Sequence, residues 1–164
     1  MATKLMEEIL SKENLEKARK AVIANKGSAG VDRMTVNELT KFIEEHGDEV
    51  TERIRMRKYR PLPVRRVQIP KPDGSKRNLG IPSVKDRWLQ QAVYQVLNPM
   101  FEEVFSDSSY GFRPGRKCED AIIKALECMN DGYDWLVDMD LSKFFDNVNQ
   151  DILMILVHKV LDAR

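Results

Sequence analysis

The sequence predicts an α+β fold in which helices pack on short antiparallel strands. Over most of the 164 residues, apolar side chains recur at intervals of three and four, which is typical of amphipathic helices. One stretch departs from this period: RRVQIPKPDGSKRNLGIPS, residues 65–83, predicts two strands joined by a turn at Asp73-Gly74. The chain is 42% hydrophobic and 32% charged, and it contains neither a long apolar run nor a signal peptide. We therefore expect a cytoplasmic protein.

The helices are predicted from apolar stripes and capping residues. The first should run from Ser11 to about Ala24. A second should begin at a capping box of Thr35 and Glu38 and end at Gly47, because glycine is common just after the end of a helix. Three further helices are predicted over residues 83–105, 117–130 and 151–161.

A further strand is predicted where WLVDMDL, residues 135–141, alternates apolar and polar side chains. A carboxylate in a buried strand is costly unless something pairs with it. Asp140 lies where this strand would turn towards a helix, so its side chain could reach a ligand from a fixed backbone. Such a carboxylate can bind Mg²⁺, and two ions about 4 Å apart would activate a 3′-hydroxyl. A helix cap or a surface charge is the commoner role of a single aspartate, and the pattern leaves both open.

Positive charge is concentrated in residues 53–87. Twelve Lys and Arg residues stand against two Asp residues there, a formal charge of +10, although the whole chain carries only +1. Because these cations surround a short, proline-stiffened hairpin, they favour contact with phosphate over a merely solvated face. Lys71 and Arg77 stand six positions apart across the turn, so strand pairing would bring both to one edge, where together they can hold a triphosphate. An exposed hairpin with incidental charges is the alternative.

Four stretches of the chain resemble a single family. The run RRVQIPKPDGSKRNLGIPSVKDRWLQQAV, followed by SYGFRPGR and VDMDLSKFFDNVN, closely resembles the fingers and first palm segment of group II intron-encoded reverse transcriptases, which also act as maturases. NKGSAGVD resembles the loop that precedes the fingers in those proteins. The resemblance covers roughly residues 5–160. It implies a reverse-transcriptase-type α+β fold with fingers and a partial palm.

The resemblance also implies roles for individual residues. Asp140 corresponds to the first catalytic aspartate of the palm, and the Leu141 carbonyl to a further metal ligand. Phe145 matches the bulky residue under the incoming sugar that excludes a 2′-hydroxyl. Lys71 and Arg77 match the pair that grips the triphosphate. The residues expected at the template or at the templating base pair are Leu79, Ile81, Arg65, Tyr110, Arg113 and Arg116.

By the same resemblance, the chain comprises an N-terminal extension (residues 1–50), the fingers (51–130) and the start of the palm (131–164). The implied function is RNA-directed DNA polymerisation together with assistance in intron splicing. The expected partners are intron RNA or another RNA template, a DNA primer and dNTPs, with no membrane. Two Mg²⁺ ions are expected in the complete active site.

Two later palm motifs of the family, a Pro-Gln-Gly segment and an Asp-Asp hairpin, do not occur in this sequence. We therefore expect a piece of a longer protein that neither polymerises nor binds Mg²⁺ by itself. A non-catalytic, RNA-binding fragment of the maturase type is the alternative function. The last helix carries an apolar stripe of Ile152, Leu156 and Val160 with little chain left to cover it, which favours self-association.

Overall fold

The computed structural model describes residues 2–162, with side chains from Lys4 onward. The chain divides into two compact units, an N-terminal unit (Met1–Asn98) and a C-terminal unit (Pro99–Arg164). Helices together with one antiparallel two-stranded sheet confirm the α+β class. The elements in chain order are α1 (Ala2–Ile9), α2 (Lys12–Ala24), a 3-10 turn (Val36–Glu38), α3 (Leu39–Arg55), β1 (Arg65–Pro70), β2 (Lys76–Ile81), α4 (Val84–Glu102), α5 (Cys118–Asn130), α6 (Phe144–Asn147) and α7 (Gln150–Asp162).

The N-terminal unit is built around Trp88. Its indole is 1% exposed and donates from Nε1 to the Leu15 carbonyl at 2.9 Å. The helices α2, α3 and α4 each turn one apolar stripe inward, as a period of three to four residues dictates. Packing of helix on helix therefore supplies the core of this unit, whose other buried members are Ala18, Val22, Leu39, Val50, Val84 and Ala92.

Two predicted helix starts are confirmed, and one predicted end is wrong. Ser11 caps α2, and its Oγ accepts the Asn14 amide at 3.3 Å. The Thr35 amide donates to Glu38 Oε2 at 2.8 Å just before α3. The helix does not end at Gly47, however, but continues to Arg55 with Gly47 buried inside it. The apolar stripe continues beyond this glycine, so burial outweighs the preference of glycine for a helix end.

The strands β1 and β2 form the predicted hairpin. The Gly74 amide donates to the Lys71 carbonyl at 3.0 Å, and the Lys71 amide donates to the Ser75 carbonyl at 2.8 Å. Gly74 has a φ of +81°, which costs glycine no strain. Hydrogen bonds from the Ser75 hydroxyl and amide lower the pKa of the Asp73 carboxyl. These contacts confirm the Asp73-Gly74 turn and fix the register of the two strands.

The C-terminal unit contains the predicted helices α5 and α7, but its described residues form no core. Helices α5 and α7 lie within a residue or two of the predicted ranges. No residue of this unit that the structure describes is buried, and both helices keep large apolar side chains exposed. Although α7 is apolar along much of its length, no helix within residues 2–162 is long and apolar enough to cross a bilayer.

The strand predicted over residues 135–141 is wrong, because the chain forms no regular element there. Both sides of the alternating pattern face solvent; Trp135, for example, is 96% exposed. A single strand is not stable in water, since its amides and carbonyls need a paired neighbour. Within the described residues the only paired strands are β1 and β2. The alternating pattern of this segment therefore suits a β-strand, but residues 2–162 provide no strand that pairs with it.

Candidate nucleic-acid interface

The register of the hairpin sorts its side chains onto two faces. The strands are antiparallel, with Ile69 opposite Arg77 and Val67 opposite Leu79. Side chains alternate along a strand, and residues paired across strands share a face. All odd-numbered positions therefore lie together, and Lys71 continues the alternation one residue beyond β1. This odd face carries Arg65, Val67, Ile69, Lys71, Arg77, Leu79 and Ile81.

The odd face thus contains all five hairpin residues that the sequence singled out. Lys71, Arg77 and Leu79 are exposed, and Ile81 is half-buried. Among the described residues, neither Lys71 nor Arg77 forms an ion pair. Two unpaired cations beside an exposed apolar strip suit a ligand that has both phosphates and flat apolar groups.

Apart from Val64, which precedes β1 and lies against Gly80, the opposite, even face has no Val, Ile or Leu side chain. It carries two cations, Arg66 and Lys76, and an amide pair in which Gln68 Nε2 donates to Asn78 Oδ1 at 3.5 Å. The two faces therefore have similar charge but differ in apolar content. That contrast makes the even face a control for the odd one.

Arg65 is already engaged within the chain. Its Nε donates to the Ala29 carbonyl at 3.0 Å. Arg87 grips the same loop, since its Nη2 donates to the Ser28 carbonyl at 2.7 Å. A Cβ added at Gly30 would lie 2.5 Å from a backbone atom just before α4, so the loop passes directly against the chain there. Two arginines thus fix the NKGSAGVD loop to the base of the hairpin through its backbone carbonyls.

The base of the hairpin is held by one buried carboxylate. Asp86 is 3% exposed and accepts three hydrogen bonds, from Ser83 Oγ at 2.6 Å, Tyr59 Oη at 2.5 Å and the Leu62 amide at 3.1 Å. Tyr59 and Leu62 precede β1, whereas Ser83 follows β2. Both ends of the hairpin therefore converge on Asp86. We call Asp86 and its three hydrogen-bond donors the stem clasp.

Sequence reasoning missed the stem clasp. Its detectable signal is Ser83 followed three residues later by Asp86 at the start of α4, a spacing typical of a capping box. The Asp86 amide does donate to Ser83 Oγ, at 3.2 Å. Burial, assisted by the Asp86 carboxylate, raises the pKa of the Tyr59 hydroxyl, which therefore remains a donor.

In the C-terminal unit, Arg113 braces the SYGFRPGR loop from inside. Its side chain is only 6% exposed. Its Nε and Nη2 donate to Glu102 Oε2 at 3.1 and 3.0 Å, and Nη2 also donates to the Glu102 carbonyl. Its Nη1 donates to the carbonyls of Ser106 and Ser109. All five N–H donors of the guanidinium are thus used within the loop and its flanking helix.

Arg116 and Tyr110 form a stacked pair in the same loop. The guanidinium of Arg116 lies 5.4 Å from the centroid of the Tyr110 ring. Arg116 also donates to Asp107, through Nη2 to Oδ1 at 2.9 Å and through Nη1 to the carbonyl. Both side chains are half-buried, so each retains surface towards solvent.

The predicted palm residues lie in an open stretch of the C-terminal unit. Asp140 and Leu141 belong to the segment without regular structure, and Phe145 is the second residue of the short helix α6. All three are exposed, Phe145 to 88%. The ring of Phe145 meets that of Phe144 edge-on at 5.5 Å between centroids.

Comparison with protein families identifies the class of protein. Residues 69–160 match the model of the family described as reverse transcriptase (RNA-dependent DNA polymerase). This range includes the turn and second strand of the hairpin, the SYGFRPGR loop and Asp140. The chain therefore belongs to the reverse transcriptase family.

Individual relatives indicate which branch of the reverse transcriptase family the chain belongs to. Protein YkfC of Escherichia coli is 34% identical over 168 residues, 98% of this chain and 44% of that protein. The group II intron-encoded protein LtrA of Lactococcus lactis is 37% identical over 125 residues, 75% of this chain and 21% of that protein. Nuclear intron maturase 1 of Arabidopsis thaliana is 35% identical over 83 residues, 51% of this chain and 12% of that protein. These relatives place the chain in the group II intron reverse transcriptase/maturase branch, and it spans less than half the length of each of them.

The reverse transcriptase family generally uses Mg²⁺. Within the described residues, however, no three His, Cys, Asp or Glu side chains group together to hold a metal ion. Asp140 brings one exposed carboxylate to the expected site. One carboxylate and a backbone carbonyl do not complete a two-metal site.

Proposed function

We propose that this chain contributes the fingers and the first palm segment to an RNA-directed DNA polymerase encoded by a group II intron. In this proposal the odd face of the hairpin meets the template RNA and the incoming dNTP, opposite a DNA primer. Lys71 and Arg77 hold the triphosphate, Leu79 and Ile81 pack on the templating base pair, and Asp140 supplies one carboxylate for Mg²⁺. Assistance in splicing would come from intron RNA bound by the same basic surface.

The single observation that supports the proposal is the composition of the odd face. A register fixed by an ordinary turn gathers two free cations and four exposed or half-buried aliphatic side chains on one side of the hairpin. A merely solvated hairpin would have no reason to keep Ile69 and Leu79 beside unpaired cations. Tyr110 and Arg116 offer a second basic and aromatic contact for template RNA. Arg113 would act by holding that loop, since its donors are already used.

A non-catalytic RNA-binding fragment is the second candidate. The open surroundings of Asp140 favour it, because no three potential metal-ligating side chains group together among the described residues. Under both candidates the isolated chain should fail to extend a primer on poly(rA)/oligo(dT) with Mg²⁺. Template-dependent incorporation of nucleotides by a preparation free of other polymerases would contradict this expectation. It would show that synthesis does not require the Asp-Asp motif that this sequence lacks.

The RNA surface can be tested by the salt dependence of binding. Each phosphate contact on a single strand contributes a slope of about −0.7 to a plot of log affinity against log salt. Replacing the two free cations of the odd face, Lys71→Gln with Arg77→Gln, should therefore flatten the slope by about 1.4 and weaken binding at low salt. Fluorescence anisotropy with a labelled single-stranded RNA measures both quantities.

The matched control is Arg66→Gln with Lys76→Gln, which removes the same charge from the even face of the same hairpin. Its slope should change clearly less than that of the odd-face variant. Equal changes would contradict the odd face as the specific surface. The exposed apolar side chains of α7 favour self-association, and an aggregate also concentrates RNA-binding sites. Each protein is therefore first shown to be monodisperse by analytical ultracentrifugation.

A further inference from the structure

The SYGFRPGR loop is held by its own hydrogen bonds, although none of the described residues of its unit is buried. Arg113 ties Ser106, Ser109 and Glu102 together through its five donors. Arg116 holds the Asp107 end of the loop. A loop braced in this way by charged hydrogen bonds can present a side chain to solvent in a defined position.

The side chain that this loop presents is Phe112. It is fully exposed, and its φ of +58° lies in the left-handed region. That conformation is rare and costly for a bulky residue, by roughly 1 kcal/mol or more, whereas glycine adopts it freely. Neither the packing of the loop nor its backbone therefore favours a phenylalanine at position 112.

The ring of Phe112 is also open on both sides. The guanidinium of Arg113 lies 5.4 Å from the Phe105 centroid, and that of Arg116 lies 5.4 Å from the Tyr110 centroid. Within residues 4–162, no such cation and no second ring lies against Phe112. Of the three aromatic side chains near this loop, Phe112 is the one free to stack on a ligand.

The surrounding charge indicates the kind of ligand. Residues 108–118 contain Arg113, Arg116 and Lys117 and no acidic residue. Arg113 and Arg116 are paired with Glu102 and Asp107, whereas Lys117 is exposed and forms no ion pair among the described residues. A bare aromatic ring in a segment with one free cation suits an unpaired nucleobase, whose face stacks on the ring while its phosphate meets Lys117.

We propose that Phe112 is a stacking platform for an unpaired base of single-stranded RNA, and that Arg113 is the residue that positions it. The proposal rests on the proposed function to the extent that the chain binds RNA. It adds a base contact that the cations of the hairpin do not provide. In this proposal the contribution of the Phe112 ring to RNA binding explains why a phenylalanine, and not a glycine, occupies this left-handed position.

The test compares two probes, a single-stranded oligouridylate and an abasic ribose-phosphate strand of equal length. Phe112→Gly should bind the oligouridylate about tenfold more weakly, as expected for the loss of one stacked base. It should bind the abasic strand as well as the parent chain does, with an unchanged salt slope, because no charge is lost. Its thermal unfolding midpoint should stay constant or rise, since glycine relieves the strained φ. Phe112→Trp should restore the affinity.

The matched control is Trp135→Ala, which removes an aromatic side chain of similar exposure from a segment beside Asp134. It should leave the affinity for both probes unchanged. A Phe112→Gly chain that binds oligouridylate as tightly as the parent, or whose unfolding midpoint falls together with its affinity, overturns the proposal. The proposal is also overturned if Phe112→Gly reduces self-association and leaves the RNA affinity unchanged. A selective loss of oligouridylate binding upholds Phe112 even if the hairpin variants leave the salt slope unchanged, a result that would overturn only the proposed role of the hairpin.

Discussion

The two units of the chain differ in what happens to their apolar stripes. In the N-terminal unit, α2, α3 and α4 bury their stripes against each other around Trp88. In the C-terminal unit, α5 and α7 carry comparable stripes, yet none of the described residues there is buried. Both units nevertheless form their predicted helices. Periodicity in the sequence therefore decides where a helix forms, and a facing stripe decides whether a core forms.

The units also order their loops by different means. In the N-terminal unit, the buried Asp86 collects donors from both ends of the hairpin. In the C-terminal unit, Arg113 and Arg116 brace a loop that has no core beneath it. Charged hydrogen bonds can thus hold a loop locally without a core, whereas the hairpin depends on the core that carries its clasp.

The largest expected effect contrasts the two tryptophans. Trp88→Ala should lower the free energy of unfolding by about 3–5 kcal/mol, because it leaves a cavity in the core. Such a loss removes much of the stability of an ordinary domain, about 5–15 kcal/mol. Trp135→Ala should change the free energy of unfolding by less than about 0.5 kcal/mol, since its side chain already lies in water. Urea unfolding followed by far-ultraviolet circular dichroism measures both changes.

Similar losses for the two variants would break the comparison. They would mean that Trp135 has a packing partner in solution. Sedimentation of each variant then identifies the partner as a second copy if Trp135→Ala also reduces self-association.

The helices and the hairpin could be predicted from the sequence because their signals are local. The apolar stripe of α2, its Ser11 cap and the Asp73-Gly74 turn each depend on a few neighbouring residues. The strand at residues 135–141 failed for the opposite reason, since a strand depends on a partner that local alternation does not supply. The end of α3 was missed because burial on the core side overrode the signal of Gly47.

The candidate site divides in the same way. The shared face of Lys71, Arg77 and Leu79 follows from the turn and from strand alternation. The stem clasp and the grip of Arg87 on its loop join residues far apart in sequence, which no local pattern reveals. Arg113 was predicted as a basic contact for template RNA, but its sequence position could not show that Glu102 and two serine carbonyls engage its donors.

A smaller effect is expected at the stem clasp. Tyr59→Phe removes one hydrogen bond to a buried carboxylate that keeps its donors from Ser83 and Leu62. It should therefore lower the free energy of unfolding by about 1.5 kcal/mol, the low end of what a hydrogen bond to a charged group contributes. Amide exchange should accelerate more in β1 and β2 than in α2, because the clasp holds the two ends of the hairpin. Hydrogen exchange followed by nuclear magnetic resonance distinguishes these elements.

The dependence of this effect on pH gives the sharper test. Because the pKa of Tyr59 is raised above its ordinary value of 10.0, its stabilisation is fully present below that pH and is lost as the pH rises through the folded pKa. The difference in unfolding free energy between the parent and Tyr59→Phe should therefore stay constant from neutral pH to about 10 and shrink only above it. Tyr94→Phe is the matched control, since Tyr94 is half exposed and its hydroxyl has no hydrogen-bond partner among the described residues. A difference that disappears already near neutral pH, or an equal effect of Tyr94→Phe, would show that the hairpin is not held through the Tyr59–Asp86 bond.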